Sequence, residues 1–244
     1  MKKPTIIFIL SALVLLSNNL LFAEVTAEVL IKKIAKQNEA IKDIKATIEV
    51  TIEMAGKEKT QTVGFWHKKP DKFKISMTGE QETTIISDGK YLYAKKGMYG
   101  ETKKREIKNK EGMTLFQDNP LLMWEKFLKG YDYKLIKQEG KVYKLDLSPK
   151  TKVKTKPSSE EKQKPQNIEI YVDSEKGTAV RILTHLKGIE STVEIIEHKK
   201  FGNIFFPVKM RTEAIMGTRT IVSDILWKNV EINKGIADKE FILK

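Results

Sequence analysis

The side chains in this sequence that could do covalent or metal chemistry are few and poorly spaced for it. His67, His185 and His198 stand far apart. None has a second histidine or a carboxylate at the spacing that a metal ion needs. There is no cysteine, so neither a thiol nucleophile nor a disulfide is available. No Gly-x-Ser-x-Gly elbow presents a serine. Ser87-Asp88-Gly89-Lys90 has a glycine and a lysine, but it lacks the spaced glycines and the following hydroxyl of a phosphate loop, so it reads as a turn. Glu111 and the pair Glu160-Glu161 lie in polar stretches where nothing would raise a carboxyl pKa. These residues predict no enzyme, no metal and no cofactor.

Apolar side chains at regular spacing are what the chain has in quantity. Ile44, Ala46, Ile48, Val50, Ile52 and Met54 alternate with Lys45, Thr47, Glu49, Thr51 and Glu53, the pattern of a half-buried strand. Ala55-Gly56-Lys57 turns the chain back. Further strands are expected at 60–69, 72–77, 83–87 and 90–95, the last two joined through Asp88-Gly89. Phe73, Ile75 and Met77 share one strand face. Strands are expected again at 132–138, 142–148, 167–172, 178–186, 191–199, 204–214 and 218–228, with glycines at the turns between them.

Two segments read as helices. Over 26–41, Thr26 is the N-cap, Glu28 suits the first turn, and Leu30, Ile34, Gln37 and Ile41 form a stripe that must pack on something. In 113–129, Asp118-Asn119-Pro120 offers a cap with proline at the first helical position. The following Leu121, Leu122, Met123, Trp124, Phe127 and Leu128 are too apolar for a helix lying on a wet surface. Residues 149–166 are rich in Lys, Glu, Ser and Pro and are expected to form a mobile, basic hairpin tip. The sum is an α+β fold, with helices packed on a curved antiparallel sheet.

The N-terminus reads as a secretory signal, 1–23: Lys2-Lys3, an apolar run from Ile6 to Leu16, then Leu20-Leu21-Phe22 and a cut after Ala23, with Ala27 as second choice. Without a cysteine at the cut, the product is expected to be released unlipidated as one domain, 24–244, in the periplasm. The net charge is +13, of which the signal's two lysines account for two. The cations are mostly lysines spread over alternating patterns, and export argues against a nucleic-acid partner. An anionic membrane surface or an acidic partner is the better expectation.

Residues 64–93 carry a family resemblance. Gly64-Phe65-Trp66-His67-Lys68-Lys69-Pro70-Asp71-Lys72-Phe73, a strand ending in a basic-basic-Pro turn and restarting at an aromatic, followed by the hairpin Thr84-Ile85-Ile86-Ser87-Asp88-Gly89-Lys90-Tyr91-Leu92-Tyr93, resembles the LolA-type lipoprotein carriers. The amphipathic helix before the first strand, Asn119-Pro120-Leu121-Leu122, and the ending from Phe205-Phe206-Pro207 to Phe241 follow in the same order.

The resemblance implies an incomplete, unclosed β-barrel of about ten or more strands. Helices would cap its concave apolar face over a cavity for acyl chains. By the same resemblance, Ile48, Val50, Ile52, Trp66, Phe73, Ile75, Met77, Leu121, Leu122, Met123 and Phe127 would line that cavity. Lys69 stands where the family commonly has an arginine that latches the lid by bonding its backbone carbonyls. Lysine is a point donor without the planar fork. The implied partners are acylated lipoproteins or lipids, an inner-membrane releasing transporter and an outer-membrane acceptor, with the chain a monomer. Two alternatives remain: a lipid- or lipoprotein-sensing envelope module without carrier activity, and a structural envelope protein whose apolar face is fully self-packed.

Overall fold

The computed structural model describes residues 25–79, 82–97, 100–107, 130–150, 167–186 and 188–243. The signal at 1–23, the apolar segment 113–129 with Leu121, Leu122, Met123 and Phe127, and loop residues 151–166 lie outside the described residues. Helix α1 (Ala27–Glu39) opens the fold, and the Thr26 hydroxyl caps it by accepting from the Val29 amide at 3.3 Å. The chain then runs β1 (Asp43–Met54), β2 (Lys57–Lys68), β3 (Lys72–Met77), β4 (Thr83–Asp88), β5 (Tyr91–Lys96) and β6 (Thr102–Glu106). It continues as β7 (Tyr131–Glu139), β8 (Val142–Pro149), β9 (Asn167–Asp173), β10 (Thr178–Leu186), β11 (Ile189–Phe201), β12 (Ile204–Met216) and β13 (Arg219–Ile232). A 3-10 turn, Asp238–Phe241, closes it.

All thirteen strands form one sheet in the order β6-β5-β4-β3-β2-β1-β13-β12-β11-β10-β9-β8-β7, and every pairing is antiparallel. Two meanders, β1–β6 and β7–β13, are joined edge to edge where β13 returns to β1. The outer strands β6 and β7 do not pair, so the sheet stays open. The expectation of an unclosed antiparallel sheet holds. Among the described residues one α-helix, α1, lies on the face, and the second helix expected over 113–129 falls outside them. Strand β6 was absent from the sequence reading, because Thr102-Lys103-Lys104-Arg105-Glu106 is polar throughout and exposed, with no alternation to detect.

One face of the sheet carries the core. Leu30, Ile31 and Ile34 of α1 are buried against Leu145, Leu147, Ile168, Ile170, Val172, Ile182 and Phe206. The other face has a smaller cluster of Ile86, Ile236 and Phe241, with Trp66, Tyr93 and Leu243 packed on it. The Ser87-Asp88-Gly89-Lys90 stretch is a turn, as its sequence suggests. The Asp88 carboxylate accepts from the Lys90 and Tyr91 amides, both at 2.7 Å, and Gly89 adopts φ +95°. The Ser87 hydroxyl, fully buried, donates to the Asp71 carbonyl at 2.9 Å and so pins this hairpin to the β2–β3 turn.

Candidate functional site

Period-two alternation places the odd and even residues of each strand on opposite faces. Through the register Ile44–His67–Phe73–Ser87–Leu92 and Ile48–Val63–Met77–Thr83, one apolar set runs across β1 to β5. It continues across β13, β12 and β11 through Ile48–Trp227 and Val50–Ile225–Met210–Ile195. This is the face on which α1 lies, called the inner face below.

Burial along this face falls in one direction. On β1, Ile44 is fully buried, Ala46 and Ile48 are buried, Val50 is half-buried, Ile52 is 40% exposed and Met54 is 53% exposed. On β12, Met210 is buried, Thr212 and Ala214 are half-buried, and Met216 is 37% exposed. On β13, Trp227 is buried while Ile225, Ser223 and Ile221 are half-buried. The same apolar surface is therefore dry at the α1 end and uncovered, among the described residues, toward the β1–β2 and β12–β13 hairpins. Trp227 stands at the boundary, packed edge to face with Phe65 (5.4 Å) and Phe206 (5.1 Å).

The residues singled out from sequence divide along this gradient. Ile48, Phe73 and Ile75 are buried members of the main core cluster. Val50 and Met77 are partly buried and packed against it, and Ile52 is on the open part. Trp66 is corrected. It pairs with Lys45 and Lys74, so it points to the outer face, where it packs on the Phe241 cluster with the Lys74 ammonium 4.8 Å from its ring. The aromatic that β2 sends inward is its neighbour Phe65, 1% exposed. Two adjacent aromatics leave the phase of a strand undecided; the pairings Phe65–Ile75 and Val63–Met77 decide it. Trp227, Ile225 and Phe65 were missed, though Ile225 and Trp227 sit two residues apart and carried the same period-two signal.

Helix α1 is tied down by polar bonds as well as by its stripe. The Lys33 ammonium donates to the Ser174 carbonyl at 2.9 Å. Gln37, the one polar member of the stripe, donates to the Lys176 carbonyl (3.3 Å) and accepts from the Phe205 amide (3.0 Å). The Lys69 ammonium donates to the Asn38 carbonyl at 2.7 Å and the Glu39 carbonyl at 3.2 Å. These are the last carbonyls of the helix, at its negative end, and the Asn38 carbonyl also accepts from the Ile41 amide at 3.2 Å.

The partly open space between α1 and the sheet holds only about 30 Å³, bordered by Ile34, Asn38, Thr178 and His198. It has room for water and not for an acyl chain. The expected apolar cavity is thus, among the described residues, an open trough. Two histidines lie on the inner side, and both are held below the ordinary imidazole pKa by burial. His67 is pushed down to about 4, with the Lys69 charge adding to the effect, and His198 is lowered with help from Lys176. No group of His, Asp or Glu among the described residues could hold a metal ion. No helix among them is long and apolar enough to cross a membrane. The arrangement of the described residues can bury apolar matter.

Residues 49–184 match the profile of the family described as outer membrane lipoprotein carrier protein LolA. No curated protein matches the sequence. The fold is similar to a crystal structure of a DUF1329 family protein from Desulfovibrio piger, at 16% identity, 89% of this chain and 97% of that one, with a TM-score of 0.61. It is also similar to a LolA superfamily protein from Nitrosomonas europaea, at 14% identity, 90% and 98% coverage and a TM-score of 0.58. A domain described as an outer membrane lipoprotein-sorting protein, from Vibrio parahaemolyticus, aligns at 12% identity, 87% and 94% coverage and a TM-score of 0.57.

Proposed function

We propose, from the premise that this chain belongs to the LolA family of outer membrane lipoprotein carriers, that its open inner face receives the acyl chains of a lipid or lipoprotein in the periplasm. The observation that carries this reading is the fall in burial along one continuous apolar face, from Ile44 to Met54. A face whose only task was to fill a core would be covered along its whole length. Each methylene moved out of water contributes about 0.8 kcal/mol, so a sixteen-carbon chain gains on the order of 12 kcal/mol before ordering costs. No charged site is needed at that scale, and among the described residues no group of His, Asp or Glu could hold a metal ion. The chain acts as a monomeric shield during transfer from an inner-membrane releasing transporter to an outer-membrane acceptor. Lys69, bonded to the end of α1, keeps the covered half closed while the other half exchanges cargo.

The test is binding of a fluorescent fatty acid to the exported protein, with thermal melting run alongside. Ile52→Glu and Met54→Glu put a charge on the open trough at residues already exposed, so both variants stay folded; each is expected to weaken binding at least tenfold. Phe73→Glu would strike the core instead, because Phe73 is buried. Folded Ile52 and Met54 variants that bind as well as wild type would remove the trough from the cargo path. Mass spectrometry of lipids extracted from gently purified protein identifies the cargo.

A further inference from the structure

The small, partly open space beneath α1 is bordered by groups that do not belong in a dry core. Thr178, 8% exposed, has a buried hydroxyl with no hydrogen-bond partner. The His198 Nε2 is likewise buried and unpaired. Both residues line the same space of about 30 Å³, with Asn38 of α1 on the opposite wall. Burial disfavours the imidazolium of His198, and in the neutral ring one nitrogen donates and the other accepts. The imidazole hydrogen-bonds the backbone of Ala179; with Nε2 unpaired, that bond belongs to Nδ1–H donating to the carbonyl. Nε2 is therefore an acceptor in need of a donor. Asn38, whose amide NH2 donates to the Ile34 carbonyl (3.0 Å), is a third polar residue on the lining, from the helix side.

We propose that this space is a water site: one ordered water donates to His198 Nε2, bonds the Thr178 hydroxyl, and thereby couples the C-terminal half of α1 to β10 and β11. The volume fits. A buried water needs roughly 10–15 Å³ of room and two to four polar partners, and this site offers the room and three partners. A larger ligand does not fit, and no carboxylate is present to favour a cation. The water completes the polar fastening of α1 that Lys33, Gln37 and Lys69 begin. It makes α1 a fixed wall, so that exchange of cargo, on the reading above, takes place at the hairpin end.

Oxygen-17 water relaxation dispersion on the full exported chain counts waters held for longer than nanoseconds. The count is expected to fall by one in Thr178→Val, which keeps the side chain's shape and removes the hydroxyl, and to stay unchanged in the exposed control Thr51→Val. His198→Phe should show the same loss. Each of the two inner variants should lower the melting temperature by about 2–4 °C, and the double variant by no more than the larger single. A high-resolution crystal structure of the wild type should place one water within hydrogen-bond reach of both side chains. An unchanged count in Thr178→Val, or a crystal structure with Thr178 bonded directly to His198 and no water between them, overturns the proposal. Because these readouts need no lipid, they stand or fall independently of the carrier reading.

Discussion

The inner face has two ends built from the same residue types, and they have opposite fates. At the α1 end Ile44, Leu145, Leu147, Ile168, Ile170 and Phe206 are at most 2% exposed. At the hairpin end Ile52, Met54 and Met216 are between 37% and 53% exposed. Propensity and alternation do not separate them, since β1 alternates evenly from Ile44 to Met54. Coverage separates them: α1, thirteen residues long, reaches only part of the sheet. A helix of that length spans about 20 Å, whereas β13 alone, with fourteen residues, runs about 48 Å. One helix is too short to dry the face it sits on, so among the described residues the remainder stays uncovered.

The contrast is sharpest in truncations. Phe206→Ala and Leu145→Ala should each cost about 3–5 kcal/mol, because the cavity left behind cannot collapse under α1. Ile52→Ala and Met54→Ala should change stability by less than about 0.5 kcal/mol. Urea midpoints measure both, and an equal cost at the two ends would dissolve the distinction.

The α1 end should also be acid-sensitive. Burial lowers His67 to about 4 from its ordinary 6.5; the Lys69 charge adds to this, while Asp71 and Asp43 oppose it. The folded state thus disfavours the imidazolium. The stability that His67 contributes is complete above pH 6.5 and is lost as the pH falls from there toward 4, in total at most about 3 kcal/mol. Stability measured at pH 7.5 and at pH 4.5 should differ less in His67→Gln than in wild type. Equal slopes would show that the imidazole is not buried as described.

A smaller effect is expected at the fastening of the helix. Lys69→Ala removes the donor to two terminal carbonyls of α1 and should cost about 1–2 kcal/mol. Lys69→Arg should recover most of it, since a guanidinium can reach both oxygens. Hydrogen exchange of the α1 amides reports this locally: faster exchange in the alanine variant, with strand amides unchanged. The smallest effect should come from the loop. Replacing residues 151–166 by a two-residue Asn-Gly turn should leave the melting temperature nearly unchanged, because Leu147 and Ile168 already pair across the hairpin base. A drop of several degrees would mean that the segment packs on the body.

The N-cap at Thr26, the hairpin at Asp88-Gly89 and most strand positions were legible in the sequence, because caps, turns and half-buried strands depend on neighbours within a few residues. The apolar stripe of α1 was equally plain, and its odd member, Gln37, marked the place where the helix bonds to the Lys176 carbonyl and the Phe205 amide. Strand β6 left no trace, since an exposed edge strand needs no apolar side chain. The phase of β2 was misread at Trp66 because Phe65 and Trp66 are both apolar, and only the neighbouring strand β3 can choose between them.

Alternation along the chain, then, determined by itself that there would be many antiparallel strands with one apolar face and a single amphipathic helix ahead of them. The tertiary structure alone decided that β13 closes back onto β1, that α1 lies over only one end of the face, and that His198 and Thr178 border one space beneath it. The reason is physical. Side-chain alternation says which residues seek cover, while the length and attachment of the covering element, set by contacts more than a hundred residues apart such as Lys33 with Ser174, decide which of them receive it.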